Sequence, residues 1–104
     1  MVDQAANIGD IEHIQHILAQ QLPLLKECYH VQSLGLFGSY VRHEQNPNSD
    51  LDILVTFSET PSLLQFITLE HHLSDLLGIQ VDLVMRKALK PHLGQRILDE
   101  VIAV

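Results

Sequence analysis

The alternation of apolar and polar positions divides the chain into helical and extended stretches. Ile11, Ile14, Leu18, Leu22 and Leu25 recur at steps of three and four, the spacing of one face of an amphipathic helix. Asp10 is placed to cap its start, and Pro23 to kink or divide it, because proline lacks the amide donor and crowds the preceding turn. Val31 to Phe37 read as a strand, Ser39 to about Glu44 as a short helix, and Asn46 to Ser49 as a turn rich in Asn, Pro and Ser. A second strand runs from Asp50 to Phe57. Thr60 and Pro61 then supply an N-cap and a first helical residue for a helix that stops at Gly78. Its expected buried stripe is Leu63, Phe66, Ile67, Leu73, Leu76 and Leu77. Ile79 to Met85 form a third strand, and a last helix from about Pro91 carries Leu93, Ile97 and Leu98. The apolar tail Val101 to Val104 reads as a final strand. Residues 1–9 are expected to be a flexible N-terminus, and residues 10–104 a single domain of one core.

Composition narrows the function. Of the 104 residues, 46 % are apolar and 18 % charged, a globular balance that argues against intrinsic disorder. The net charge of −7, with only six Lys and Arg, speaks against direct nucleic-acid binding, since phosphate backbones are gripped by cations. No apolar run is long enough to span a bilayer and no signal peptide is evident, so the expected location is cytoplasmic. The single Cys28 is expected to be a core thiol at a helix end. His13, His16, His71 and His72 are expected to be solvated; the adjacent pair at 71 and 72 diverges around a helix and cannot jointly face one metal.

The chemistry concentrates between Leu34 and Thr56. Asp50 and Asp52, two apart on a strand, share a face, while Leu51, Ile53 and Val55 share the other. Neighbouring carboxylates repel, and keeping both ionised calls for a cation. Mg²⁺, bound through one or two carboxylates plus phosphate oxygens, fits. Upstream, Gly38 allows close approach of a ligand to the backbone, and a helix starting near Ser39 would aim free N–H groups and a hydroxyl at an anion. Arg42 falls on the same face as Ser39 and is read as a phosphate contact, a clamp on the Asp50/Asp52 end, or a surface ion pair. Asp82 interrupts a β-branched run, either as an edge residue facing water or as a third carboxylate. Arg86, Lys87 and Lys90 form a solvated basic turn or contact phosphates or an acidic partner. An EF-hand loop beginning at Asp50 fails at Val55 and Pro61, and no P-loop is present. An acidic pair that precedes its apolar strand also has the wrong polarity for haloacid-dehalogenase phosphatases and many glycosyltransferases.

Gly38-Ser39, ten residues, then Asp50-Leu51-Asp52 resembles the signature of the nucleotidyltransferase superfamily that includes DNA polymerase β. The match is nearest to its minimal members, the MNT proteins. It rests on Phe37 to Arg42, Ser49 to Asp52 and Val81 to Leu83, with Val41 and His43 where many members carry Ala and Gly. The resemblance implies an α+β domain, a small mixed β-sheet flanked by helices. It further implies that Asp50, Asp52 and Asp82 form a site for two Mg²⁺ ions, with Asp50 and Asp52 bridging both, while Gly38 and Ser39 hold ATP phosphates and Arg42 supports them. The implied role is that of an antitoxin paired with a HEPN-type RNase toxin, silencing it by moving AMP from ATP to a toxin tyrosine. A catalytically idle antitoxin acting by steric binding, and a small-molecule nucleotidyltransferase, are the alternatives; the small size of the chain favours a protein acceptor.

Overall fold

Helix α1, Ile11–Tyr29, lays Ile11, Ile14, Leu18 and Leu25 into the core, as their spacing predicts. The computed structural model describes residues 11–104, so the expected flexible segment 1–9 and the Asp10 cap lie outside the described residues. The helix is not divided at Pro23, which is exposed. A proline interruption costs about 3 kcal/mol, whereas each large apolar side chain buried on either side of it contributes roughly 1.5–3 kcal/mol. The stripe therefore carries the helix through. Its last inward position is taken by Tyr29, whose ring stacks on His72 at 5.9 Å. This corrects two expectations: His72 is packed against α1, and Cys28, one residue off the stripe, is exposed.

Four strands follow, β1 (Val31–Phe37), β2 (Leu51–Phe57), β3 (Val81–Met85) and β4 (Ile102–Ala103), in the sheet order β3-β2-β1-β4. β1 is antiparallel to β2 and β4, and β2 is parallel to β3, so the sheet is mixed. A parallel neighbour needs a crossover, and α2 (Leu63–Leu77) supplies it. One sheet face, with Leu34, Leu36, Leu51, Ile53, Val55, Val81 and Leu83, packs in a single cluster with the inner faces of α1 and α2. The strict alternation of β2 and β3 sends Asp52 and Asp82 to the other face.

Helix α2 starts two residues later than the sequence suggests. Ser62, not Thr60, is the N-cap, and Ser62 and Gln65 form a reciprocal capping box. Its buried stripe is Leu69, Leu73 and Leu77, while Leu63 and Leu64 in the first turn stay 75 % and 74 % exposed and Ile67 is exposed too. A helix touches the sheet only where it lies over it, so the first turn keeps its apolar residues in water. The same helix guards the edge strand: Ser74 Oγ accepts the Val81 N–H at 3.0 Å and Glu70 Oε2 the Leu83 N–H at 2.9 Å. Edge donors that would otherwise template another strand are thereby occupied. β3 begins at Val81 rather than Ile79 and ends in one 3₁₀ turn, Arg86–Ala88. Helix α3, Pro91–Glu100, then returns the chain to β4, which pairs Ala103 with Gly35 and Ile102 with Leu36. Among the described residues no helix is long and apolar enough to cross a membrane.

Candidate active site

The end of β1 and the starts of β2 and β3 meet at one edge of the open sheet face. Gly38 follows β1 with φ +87°, a conformation that favours glycine. The N–H groups of Val41 and Arg42 both bond its carbonyl, at 3.1 and 3.2 Å, and Glu44 N–H reaches Ser39 O at 2.8 Å. Residues 39–44 thus wind as overlapping turns rather than the short helix expected. His43 explains the difference, because its φ of +60° departs from helical geometry. Tyr40, 6 % exposed, sits in the core cluster and pins the turn to the domain.

A left-handed residue with a side chain costs roughly 1–2 kcal/mol, of which glycine recovers most while giving up about 0.4–1 kcal/mol through its freer unfolded chain. His43→Gly is therefore expected to stabilise the protein by about 0.5–1 kcal/mol, read as a higher urea midpoint with unchanged slope.

Asp50 lies just ahead of β2 and is exposed, Leu51 is buried, and Asp52 is partly exposed, the alternation expected. Parallel pairing puts Asp52 directly opposite Asp82 on β3, and antiparallel pairing puts it opposite Phe37 on β1, one residue from Gly38. A β-carbon at position 38 would overlap the Asp52 Oδ2 and stand 2.9 Å from its Cγ. The glycine and the acidic strand are in contact. Asp82 is exposed on an edge strand, so solvent offsets the burial cost that an acid inside an apolar strand would carry. It nonetheless stands beside Asp52.

The electrostatics follow from that crowding. Burial, then the negative charge of Asp82 and of Asp50, then hydrogen bonding with Asp82, push the Asp52 carboxyl up to about 6, with Arg42 pulling the other way. Asp52 thus holds its proton more tightly folded than unfolded. Stability is expected to fall as pH rises from about 4 to about 6 and to level off above. Urea unfolding of the metal-free protein across that range checks this, and Asp52→Asn should remove the decline that the wild type shows.

Arg42 does not lie free. Its Nε donates to Glu44 Oε1 at 3.0 Å, and its Nη1 donates to Glu100 Oε1 and Oε2 at 2.9 and 3.1 Å. Hydrogen bonds to Glu44 and then Glu100 raise its pKa. Glu100, the last residue of α3, also accepts the Gly38 N–H at 2.7 Å. Burial acts to raise the Glu100 pKa, but the Gly38 N–H and then Arg42 outweigh it, and the group lies below its ordinary value. Sequence reading overlooked Glu100. The available signal was an acid wedged between Ile97, Leu98 and the apolar tail. Arg86 and Lys87 are at the far end of β3 from these carboxylates, where Lys87 Nζ donates to Thr60 Oγ1 at 2.7 Å.

Beyond Asp52 the open face continues as a groove of about 240 Å³ bordered by Ser33, Gly35, Leu54, Thr56, Leu98 and Val101. Among the described residues no group of three or more His, Cys, Asp or Glu stands in a preformed metal-binding arrangement. Asp50, Asp52 and Asp82 form a carboxylate cluster at the edge of the open face, flanked by a glycine turn.

Residues 18–104 match the family described as nucleotidyltransferase domain. The chain is 49 % identical over 94 residues to the protein adenylyltransferase MntA of Thermococcus cleftensis, covering 90 % of this chain and 95 % of that one. A crystal structure of a toxin-antitoxin with AMP-PNP contains a chain 28 % identical, with a TM-score of 0.65 over 88 % of this chain and 69 % of that chain. A Shewanella oneidensis complex of tri-AMPylated HEPN toxin with MNT antitoxin matches at 25 % identity and a TM-score of 0.63, covering 86 % and 70 %. With its mixed sheet and these matches, the chain belongs to the nucleotidyltransferase domain family and, within it, to the minimal nucleotidyltransferases that include MntA.

Proposed function

We propose that this protein is a cytoplasmic antitoxin that moves AMP from ATP to a tyrosine hydroxyl of a HEPN-type RNase toxin. The observation that carries the reading is the register of Asp52 opposite Asp82 on the open face, with Asp52 packed against Gly38. The names of its relatives support it, since one is a protein adenylyltransferase and another is bound to an AMPylated HEPN toxin.

The hydroxyl oxygen attacks the α-phosphorus, the bond to the β-phosphate bridging oxygen breaks, and pyrophosphate leaves. Asp82, exposed beside Asp52, accepts the hydroxyl proton. Gly38 and Ser39 cradle the β- and γ-phosphates through the backbone of their turn, and Arg42 supports them from the same turn. Asp50, Asp52 and Asp82 suit Mg²⁺ chemically: their oxygens are hard donors, and the mutual repulsion that lifts Asp52 is the kind a cation relieves. Mg²⁺ binds through one or two carboxylates plus substrate phosphates rather than in an all-protein cage, which agrees with three carboxylates that do not already form a closed site. Asp50, Asp52 and Asp82 would hold two such ions, which would supply charge neutralisation for the nucleotide and activation of the hydroxyl.

Intact mass of the toxin co-purified or incubated with this protein and ATP is the test. The toxin should become heavier by whole AMP units with Mg²⁺, and should stay unmodified with a chelator in excess. An unmodified toxin in the presence of Mg²⁺ and ATP, still neutralised, would establish the steric alternative.

A further inference from the structure

We infer that Glu100 is the positioning residue of the nucleotide pocket: from the end of α3 its carboxylate accepts hydrogen bonds from the Gly38 N–H and the Arg42 guanidinium, and so fixes the Gly38 turn and Arg42 beside the place of the triphosphate. The inference rests on the adenylyl-transfer reading above and assigns a role in it to a residue outside the Gly-Ser and Asp-x-Asp motifs.

The contacts join distant parts of the chain. Glu100 is 62 residues from Gly38 and 58 from Arg42, yet it engages one through Oε2 at 2.7 Å and the other through both oxygens. Its side chain is only 24 % exposed, whereas that of the other Arg42 partner, Glu44, is 64 % exposed. An exposed ion pair contributes little, but a largely covered carboxylate with a backbone donor and a guanidinium is geometrically determined.

The chain after Glu100 is built to deliver it. Gly35 has no side chain, and a β-carbon there would come within 2.7 Å of Val101 Cγ2, so the segment lies tight on β1. Pairing of Gly35 with Ala103 and Leu36 with Ile102, and the Val104 N–H bond to Leu34 O at 3.0 Å, fix that segment to the strand whose end is Gly38. Glu100 therefore arrives at the turn as a consequence of C-terminal docking. It also walls a cleft of about 190 Å³ with Arg42, Arg96 and Ile97. Two cations face that opening beside the phosphate cradle, and Glu100 keeps one of them in place. A turn at φ +87° that is braced from outside is ordered before the nucleotide arrives, and preorganisation lowers the cost of binding.

The test compares wild type, Glu100→Gln and Glu100→Ala by calorimetric titration with AMP-PNP and Mg²⁺, by KM and kcat for AMP transfer, and by the Gly38 amide proton resonance. Glutamine retains an oxygen for the Gly38 N–H but not the charge for Arg42; alanine loses both. The expected result is a weakening of nucleotide affinity and a rise in KM for ATP of about tenfold in Glu100→Ala and about threefold in Glu100→Gln, the scale of one charge-assisted hydrogen bond. Because Asp50, Asp52 and Asp82 are untouched, kcat should stay within about threefold. The Gly38 amide should move upfield in alanine and little in glutamine. Affinity that is unchanged or tighter in both variants overturns the inference, the latter by making Glu100 a competitor of phosphate, while AMP transfer by the wild type leaves the functional reading standing. Should Glu100→Ala fail to fold, Glu100→Gln decides alone. A wild type that binds no AMP-PNP overturns both.

Discussion

Asp52→Asn is expected to lower AMP transfer by at least about a thousandfold, a loss of roughly 4 kcal/mol of transition-state stabilisation. Asp52 is the carboxylate with neighbours on every side: Asp82 opposite on β3, Asp50 two residues back, and the Gly38 turn across the β1 pairing. Asparagine keeps its shape and a hydrogen-bonding oxygen but removes the charge on which a cation and the proposed hydroxyl activation depend. The fold should not suffer. At pH 7.5 the wild-type Asp52, pushed up to about 6, is ionised against two other acids, so the neutral amide should leave the melting temperature unchanged or raise it. A dead but equally stable protein thus separates chemistry from folding, which alanine at a core position could not do. Toxin binding by the variant then divides two readings: retained binding with lost protection means transfer is the antidote, and retained protection means contact alone suffices.

Much of this site is legible in the sequence because its parts are local. Asp50, Leu51 and Asp52 reveal their faces by alternation, and Gly38 by its place between an apolar run and a polar connection. Asp82 is half legible: its interruption of a β-branched strand is visible, but its partnership with Asp52 depends on a parallel register created by the whole β2–α2–β3 crossover. Glu100 was only faintly legible. An acid between Ile97, Leu98 and an apolar tail stands out locally, but its meaning comes from β4 pairing with β1. The same boundary divides the fold. The α1 stripe and Gly78 at the end of α2 are statements about neighbours three or four apart, whereas the exposure of Leu63 and Cys28 depends on which part of each helix lies over something. Pro23 shows the reverse case, a strong local signal overridden by burial on both sides of it.

Gly38→Ala should also damage transfer, less than Asp52→Asn does and by a separable route. Two costs add: a left-handed φ of +87°, on the order of 1–2 kcal/mol for a residue with a β-carbon, and overlap of that carbon with Asp52 Oδ2, for which overpacking of about 1–3 kcal/mol is the comparison. The variant should lose about 2–5 kcal/mol of stability and, because the displaced group is Asp52 itself, at least about a hundredfold in transfer, roughly 2.7 kcal/mol in the barrier. Gly78→Ala is the matched control. Its φ is +70°, but a β-carbon there meets nothing within 4 Å, so it should cost only the backbone share and leave transfer intact. Adding Asp52→Ala to Gly38→Ala should then recover stability without recovering activity, since the double variant removes the overlap but not the strain. The coupling energy of that cycle, measured by urea unfolding, isolates the contact between the glycine turn and the acidic strand. A coupling near zero would mean that the two motifs merely share an edge of the sheet, and that the close approach of the glycine turn to the carboxylate is not built into the fold.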